Sequence, residues 1–222
     1  MVELPSDKIA IGCKWVFRLK QNPDGSVNKY KACLVAKGFH QRLGHDYNEN
    51  FSPVIKPVTV RIILTLAISI KWPLQQLDVN NAFLNVVLEE EVYMQQPSSF
   101  ENSNKQLVCR LNKAIYGLKQ APRAWYDKLK HTLLQFQFVP SKCDPSLFVY
   151  SKAGSMVYIL IYVDDIIITG SDSKLIRTLV SQLNSVSSLK DLGDLDYFLG
   201  IEVLIRLMAL LLSLNPSISG IY

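Results

Sequence analysis

A chain of 222 residues, 49% hydrophobic and 19% charged, is long enough to bury one substantial core or to divide it between two lobes, so a globular class is expected. Its four cysteines, Cys13, Cys33, Cys109 and Cys143, lie far apart, with no C-x-x-C pair and no nearby His doublet; this excludes a zinc-ligand pattern and predicts reduced, packed thiols. The N-terminus lacks the basic, apolar and small-residue succession of a signal peptide, and the apolar runs near 156–163 and 204–214 are too short or too interrupted to span a bilayer, so the expectation is an intracellular protein, cytoplasmic or nuclear, with no membrane partner.

The net charge of +5 is unevenly placed. Lys8, Lys14, Arg18, Lys20, Lys29, Lys31, Lys37 and Arg42 face only Glu3, Asp7 and Asp24 within the first 45 residues, which therefore hold the whole excess. A second basic cluster runs through Lys105, Arg110, Lys113, Lys119, Arg123, Lys128 and Lys130. Basic stretches around an acidic middle and an acidic C-terminal half suit a protein that holds a polyanion against a metal-loaded carboxylate site. Ordinary solvated surface charge is the alternative that composition leaves open.

In chain order, residues 14–20 and 29–37 mix apolar and basic residues at strand spacing around Asn22-Pro23-Asp24-Gly25, which predicts a basic β-hairpin. Residues 58–70 place Ile62, Ile63, Leu66, Ala67 and Ile70 on one helical face, with Pro73 as the stop. A short strand from Leu74 to Val79 follows, then a polar, acidic stretch to about Asn104. Residues 122–138 carry Trp125, Leu129, Leu133 and Phe136 at helical spacing behind Pro122, an amphipathic helix whose aromatic stripe reads as core. Residues 145–150 and 156–169 are strand-like, the second long enough for two strands meeting at Val163-Asp164-Asp165. A helix over about 173–187 and a last strand from Tyr197 to Val203 complete an α+β set with an antiparallel sheet.

Two adjacent aspartates inside an apolar β run are the sharpest feature, because burying like charges side by side is costly and raises a carboxyl pKa. A tight turn that exposes both to water is one explanation, since Asp favours turns. The other is a divalent cation held by oxygen ligands, with Asp78 at the end of its strand as the third carboxylate. Three such groups suit two-metal phosphoryl transfer, in which paired ions activate a 3′-hydroxyl and stabilise the leaving pyrophosphate. On this reading the three side chains converge. No Ser/His/Asp arrangement competes, since His40, His45 and His131 sit in unlike contexts and read as surface residues.

The runs IGCKWVFRLK, YKACLVAKGFHQ, YNENFSPVIKPVTVR, QLDVNNAFLN, EEEVYMQQP, LNKAIYGLKQAPRAWY, YVDDIIITG and LKDLGDLDYFLGIEV, over about residues 8–203, resemble in order and spacing the reverse transcriptase of copia-type retrotransposons. The resemblance implies a right-hand polymerase fold, with fingers mainly at 8–57 and 86–120 and an antiparallel palm sheet with packed helices mainly at 58–85 and 121–203. It implies an RNA-directed DNA polymerase using two Mg2+ or Mn2+ ions, with an RNA or DNA template, a primer and deoxynucleoside triphosphates as partners. Asp78 and Asp164 then bind the metals, Asp165 supports them, and the Val79 backbone faces the incoming triphosphate. Phe83 falls where the family holds the aromatic gate against a ribose 2′-hydroxyl. Arg18, Lys20 and Lys31 on the hairpin, with Tyr116 and Gly117, fall at nucleotide-binding positions, and Lys119, Gln120, Pro122 and Arg123 along the nucleic acid.

The pattern breaks in three places. Cys33 stands where the resemblance expects an arginine that grips the triphosphate. Asn85-Val86 replaces an expected His-Gly, which predicts local strain if glycine was needed there. After Val203 the likeness stops, although Ser213–Tyr222 back-translated one frame over gives Ser-Gln-Ser-Lys-Tyr-Ile, so residues 204–222 read as a degenerate, frameshifted tail. Protease, integrase and ribonuclease H regions of a Pol polyprotein have no counterpart in the sequence. Two rival functions remain open: a non-catalytic nucleic-acid-binding remnant, and another two-metal enzyme on the same palm, such as a nucleotide cyclase, which the basic hairpin and the Gly117-to-Tyr126 stretch disfavour.

Overall fold

In the computed structural model, residues 1–22 and 24–202 are described; Pro23 of the predicted turn and the proposed tail lie outside them. Strands β1 (Cys13–Gln21) and β2 (Val27–Ala36) are followed by helix α1 (Pro57–Ser69), β3 (Leu74–Val79), β4 (Val87–Met94), β5 (Cys109–Lys113) and α2 (Ala121–Gln135). Then come β6 (Val139–Pro140), β7 (Leu147–Lys152), β8 (Ser155–Tyr162), β9 (Asp165–Gly170), α3 (Ser173–Val186), β10 (Leu189–Asp194), β11 (Tyr197–Phe198) and β12 (Ile201–Glu202). The class is mixed α and β with antiparallel sheets, and the chain divides into two units, residues 1–52 with 81–129 and residues 53–80 with 130 onward.

The first unit holds two antiparallel ribbons, β1 with β2 and β4 with β5. Side chains directly opposite each other on paired strands share a face, so the register sorts the hairpin into two surfaces. Lys14, Val16, Arg18 and Lys20 lie opposite Val35, Cys33, Lys31 and Lys29 on one side; Trp15, Phe17 and Leu19 lie opposite Leu34, Ala32 and Tyr30 on the other. Ala36 at the end of β2 meets the loop after β5, where Tyr116 accepts its N–H at 2.8 Å. Gly117 there has φ +91, and a Cβ on it would sit 2.1 Å from the Ala36 carbonyl oxygen, so only glycine permits the approach.

The second unit is built on a six-stranded sheet in the order β10-β3-β9-β8-β7-β6, every pairing antiparallel. Ile166, Ile167 and Ile168 on β9 are buried on both faces of this sheet, which explains the continuous apolar run in the sequence. One face carries Leu74, Leu160 and Ile167 into a cluster with Val60, Ile63, Leu64 and Ala67 of α1. The buried stripe of α1 is therefore Val60, Ile63, Leu64 and Ala67, whereas Ile62 and Ile70, expected on it, are 58% and 42% exposed. Apolar residues outnumber the positions a single stripe holds, so periodicity left the choice of face to packing. The helix ends at Ser69, before Pro73: Lys71 adopts φ 56, and the Lys71 and Trp72 N–H groups return to the Ile68 and Ala67 carbonyls at 3.2 and 2.8 Å.

Other expectations need adjusting. The acidic stretch after Asn85 contains β4, whose outward Glu89 and Glu91 obscured the strand pattern. Residues 197–202 form a short hairpin of β11 and β12 instead of one strand, because Leu199 and Gly200 turn at φ 47 and 83. Val86 lies at φ −105 and ψ 128, ordinary extended backbone, so the strain expected there is absent. All four cysteines are free; Cys13, Cys33 and Cys109 are half-buried and Cys143 is exposed, so none is a core thiol. The three histidines are exposed, as expected.

Candidate active site

In the second unit, β8 and β9 are joined by the two-residue turn Val163-Asp164, since Tyr162 and Asp165 are paired across it. Val163 adopts φ 55, a conformation costly for a β-branched residue and usually reserved for glycine at this place in a hairpin. The turn is clamped from the side by the Val79 N–H, which donates to the Asp164 carbonyl at 2.9 Å. Such local strain, of order 1–3 kcal/mol, persists where surrounding structure over-determines it.

Asp78 is the direct cross-strand partner of Asp165. With Lys190 opposite Asp78 on β10, and Tyr162 opposite Asp165 on β8, a row Lys190, Asp78, Asp165, Tyr162 crosses one face of the sheet at its end. Two residues further in, the same face holds Gln76, Ile167 and Leu160, where the α1 core begins. The carboxylates thus stand at the margin between apolar core and solvent, each half-buried. Burial raises the Asp165 carboxyl above the usual range, and the charges of Asp164 and Asp78 push the same way, against a hydrogen bond from Gln76 Nε2 at 3.4 Å.

Among the described residues, no group of three or more His, Cys, Asp or Glu side chains is drawn together closely enough to hold a metal ion. The side-chain convergence expected of the three aspartates is therefore not seen among the described residues: Asp78 and Asp165 are cross-strand partners, and Asp164 in the adjoining turn acts on Asp165 through its charge. Like charges repel, which opposes such closure. The donor set itself, all carboxylate and coupled at one turn, suits a hard divalent cation.

In the first unit, Arg18, Lys20, Lys31 and Cys33 share the cationic face of the hairpin, and Arg18 with Lys31 and Lys20 with Lys29 are like-charged pairs directly opposite. Such pairs are destabilising unless an anion intervenes. Phe83 is only 5% exposed and meets Tyr116 edge-on at 4.5 Å between centroids. Gln120 is 2% exposed, accepting from Gln41 Nε2 at 2.9 Å and donating to the Asp46 carbonyl at 3.0 Å. Lys119 Nζ donates to the Gln41 carbonyl and lies over the Tyr47 ring. Arg123 is engaged by Glu49 and Asp127, and Pro122 sits in the first turn of α2. Gly117, Lys119 and Gln120 therefore also hold their own loop to the body of the unit. Sequence reading missed Gln76 and Lys190: alternation along β3 puts Gln76 on the face of Asp78, but the place of Lys190 depends on the nonlocal pairing of β10.

Among known proteins, residues 1–221 match the family described as reverse transcriptase (RNA-dependent DNA polymerase). The chain is 53% and 54% identical, over 199 residues each, to the retrovirus-related Pol polyproteins from transposons RE1 and RE2 of Arabidopsis thaliana; each match covers 89% of this chain and 14% of the relative. It is 44% identical over 205 residues to the corresponding polyprotein from transposon TNT 1-94 of Nicotiana tabacum, covering 91% of this chain and 15% of that one. The chain thus spans about one seventh of the length of these relatives.

Proposed function

The chain belongs to the reverse transcriptase (RNA-dependent DNA polymerase) family, as a segment of a copia-type retrotransposon Pol polyprotein, and from that premise we propose that it carries the polymerase's carboxylate centre at Asp78, Asp164 and Asp165. The observation that carries the reading is the register of Asp78 with Asp165 beside the strained Val163-Asp164 turn. Divalent ions bound there, two Mg2+ or Mn2+ on this reading, would supply Lewis-acid stabilisation to a primer 3′-hydroxyl and to a pyrophosphate leaving group. Asp78 and Asp164 serve as the ligands, with Asp165 and the Val79 backbone in support; Gln76 holds Asp165 by its hydrogen bond.

The second unit corresponds to the palm in this proposal and the first to the fingers. On the hairpin, Arg18, Lys20 and Lys31 present charge-assisted donors to a nucleoside triphosphate, and Cys33 leaves a gap in that cationic face. Phe83, stiffened by Tyr116, takes the part of the sugar gate, with Gly117 shaping the adjoining loop. Lys119, Pro122 and Arg123 line the path of primed template, and Gln120 among them anchors the stretch through its bonds to Gln41 and Asp46. Template RNA or DNA, primer and deoxynucleoside triphosphates are the partners. Among the described residues, no helix is long and apolar enough to cross a membrane.

The test is primer extension on a primed RNA template by the purified chain with Mg2+ or Mn2+. Deoxynucleotide incorporation that Asp78→Asn and Asp165→Asn abolish supports the proposal. Incorporation unaffected by either substitution overturns it. A second reading, binding of primed template without polymerisation, is favoured by Cys33; template binding with no extension by the chain at any metal concentration selects it.

A further inference from the structure

Lys190 lies directly opposite Asp78, on the face that also bears Asp165. It is exposed, and among the described residues it takes part in none of the ion pairs, which join Arg42 to Asp46, Arg110 to Glu91, and Arg123 to Glu49 and Asp127. Its neighbour Asp191 is opposite Leu77, on the other side of the strand, and its Oδ1 accepts from the Gly193 N–H at 2.9 Å. Asp191 therefore does not neutralise Lys190 on the carboxylate face. Adjacent strands lie about 4.8 Å apart, and an extended lysine reaches farther than that along the sheet surface. One cation thus ends a row whose next two members are carboxylates.

We infer that Lys190, the cross-strand partner of Asp78, is a charge-tuning residue of this centre: its positive charge weakens the hold of the three aspartates on a divalent ion and so keeps a bound ion exchangeable. The inference rests on the proposal that these carboxylates are metal ligands. The argument is Coulombic. With no countercharge, carboxylates coupled like those of Asp78, Asp164 and Asp165 attract a doubly charged ion strongly enough to retain it. A single positive charge about 8 Å from that ion, in water-like surroundings, offsets the attraction by about fivefold in affinity. Arginine preserves the charge, whereas methionine preserves much of the stem without it.

The experiment is Mn2+ titration of the full chain, followed by free-ion electron paramagnetic resonance, for the parent, Lys190→Met, Lys190→Arg and Asp165→Asn. Matched thermal unfolding establishes that each variant is folded. The inference expects Lys190→Met to bind Mn2+ about fivefold more tightly and Lys190→Arg to stay within about twofold of the parent. Unchanged or weaker binding by Lys190→Met, in a chain whose affinity Asp165→Asn does lower, overturns the role of Lys190 and leaves the carboxylate centre standing. An equal shift in the Arg and Met variants also overturns it, because charge is then not the cause. A parent that does not bind Mn2+, or whose binding Asp165→Asn leaves unchanged, overturns the metal-site proposal and this inference with it.

Discussion

Asp78 and Asp165 are paired across β3 and β9 at the end of the sheet, although 86 positions separate them in the chain. Burial and the nearby charges of Asp164 and Asp78 raise the Asp165 carboxyl above the usual range, so in metal-free protein the ionised cluster opposes folding. Asp165→Asn removes one member of it. We expect the metal-free variant to melt slightly higher than the parent, by about 1–2 °C, because relief of burial and repulsion at this half-exposed carboxylate is reduced by solvent screening. Added Mn2+ should raise the melting temperature of the parent more than that of the variant. A variant that melts lower without metal and responds to Mn2+ like the parent would show that the cluster is neither repulsive nor metal-binding.

Cys33 lies on the cationic face of the hairpin, opposite Val16 and next to the Arg18–Lys31 pair. Cys33→Arg adds a planar donor fork that a thiol lacks. We expect the Kd for deoxynucleoside triphosphate to fall by about one to two powers of ten, the equivalent of about 1.5–3 kcal/mol for a charge-assisted contact. Equilibrium nucleotide binding by the parent, Cys33→Arg and Cys33→Ala is the check. Equal affinity in all three would remove this position from the triphosphate site.

Phe83 is buried, and its edge contact with Tyr116 fixes the ring. Phe83→Ala both opens space and removes packing. We expect ribonucleotide incorporation to rise relative to deoxynucleotide incorporation, with a stability loss of about 3–5 kcal/mol. Competition between the two nucleotide types in primer extension separates these effects, because lost packing alone lowers both rates together. An unchanged ratio would end the assignment of Phe83 as the sugar gate.

Local signals in the sequence carried much of the fold. Strand β3 runs from Leu74 to Val79 as read, and the apolar run around Asp164-Asp165 breaks into two strands at the expected turn. What failed were decisions that depend on distant partners. Ile62 and Val60 compete for the buried stripe of α1, and only the sheet it packs against settles which is inside. Strand β10 has two acidic residues and a glycine in six positions, weak intrinsic strand material that pairing with β3 nevertheless orders. For the same reason Asp78 was legible as a candidate while its cross-strand neighbour Lys190 was not; Gln76, two residues before Asp78 on the same strand face, carried a local signal that went unread. Gln120 was read for its motif, and its burial between Gln41 and Asp46 has no local signature.

Asp172 caps α3, its carboxylate accepting the Lys174 and Leu175 N–H groups at 2.9 and 3.0 Å. Those bonds, first that of Leu175, hold its carboxyl below the usual range. A depressed folded-state pKa contributes stability that is present above the unfolded-state value and lost as pH falls through the folded-state value. Asp172→Ala should therefore melt lower than the parent at neutral pH, and the difference should shrink on acidification below the ordinary carboxylate range. Asp172→Asn, which keeps an acceptor, should lose less and show a flatter pH response. A deficit in the alanine variant that does not change with pH would mean that the charge of the cap contributes nothing.

Val163 offers the sharpest separation of stability from activity. It is the first residue of the two-residue turn, at φ 55, where a β-branched side chain is strained and glycine is not. Against that relief stands the extra backbone entropy that glycine brings to the unfolded chain, about 0.4–1 kcal/mol, which acts in the opposite direction. Strain at such positions is of order 1–3 kcal/mol, so relief wins, and Val163→Gly should raise stability by about 1 kcal/mol, or about 2–4 °C in melting temperature. The same freedom loosens Asp164, whose carbonyl is held by the Val79 N–H and whose carboxylate belongs to the proposed metal centre. We therefore expect the stabilised variant to bind Mn2+ more weakly and to extend primers more slowly than the parent. Val163→Ala, which keeps a Cβ at positive φ but removes the branch, should fall between the two in both measurements. A glycine variant that gains stability and keeps full metal affinity would show that the turn's strain has no part in shaping the carboxylates; one that loses stability would show that the valine is not strained there.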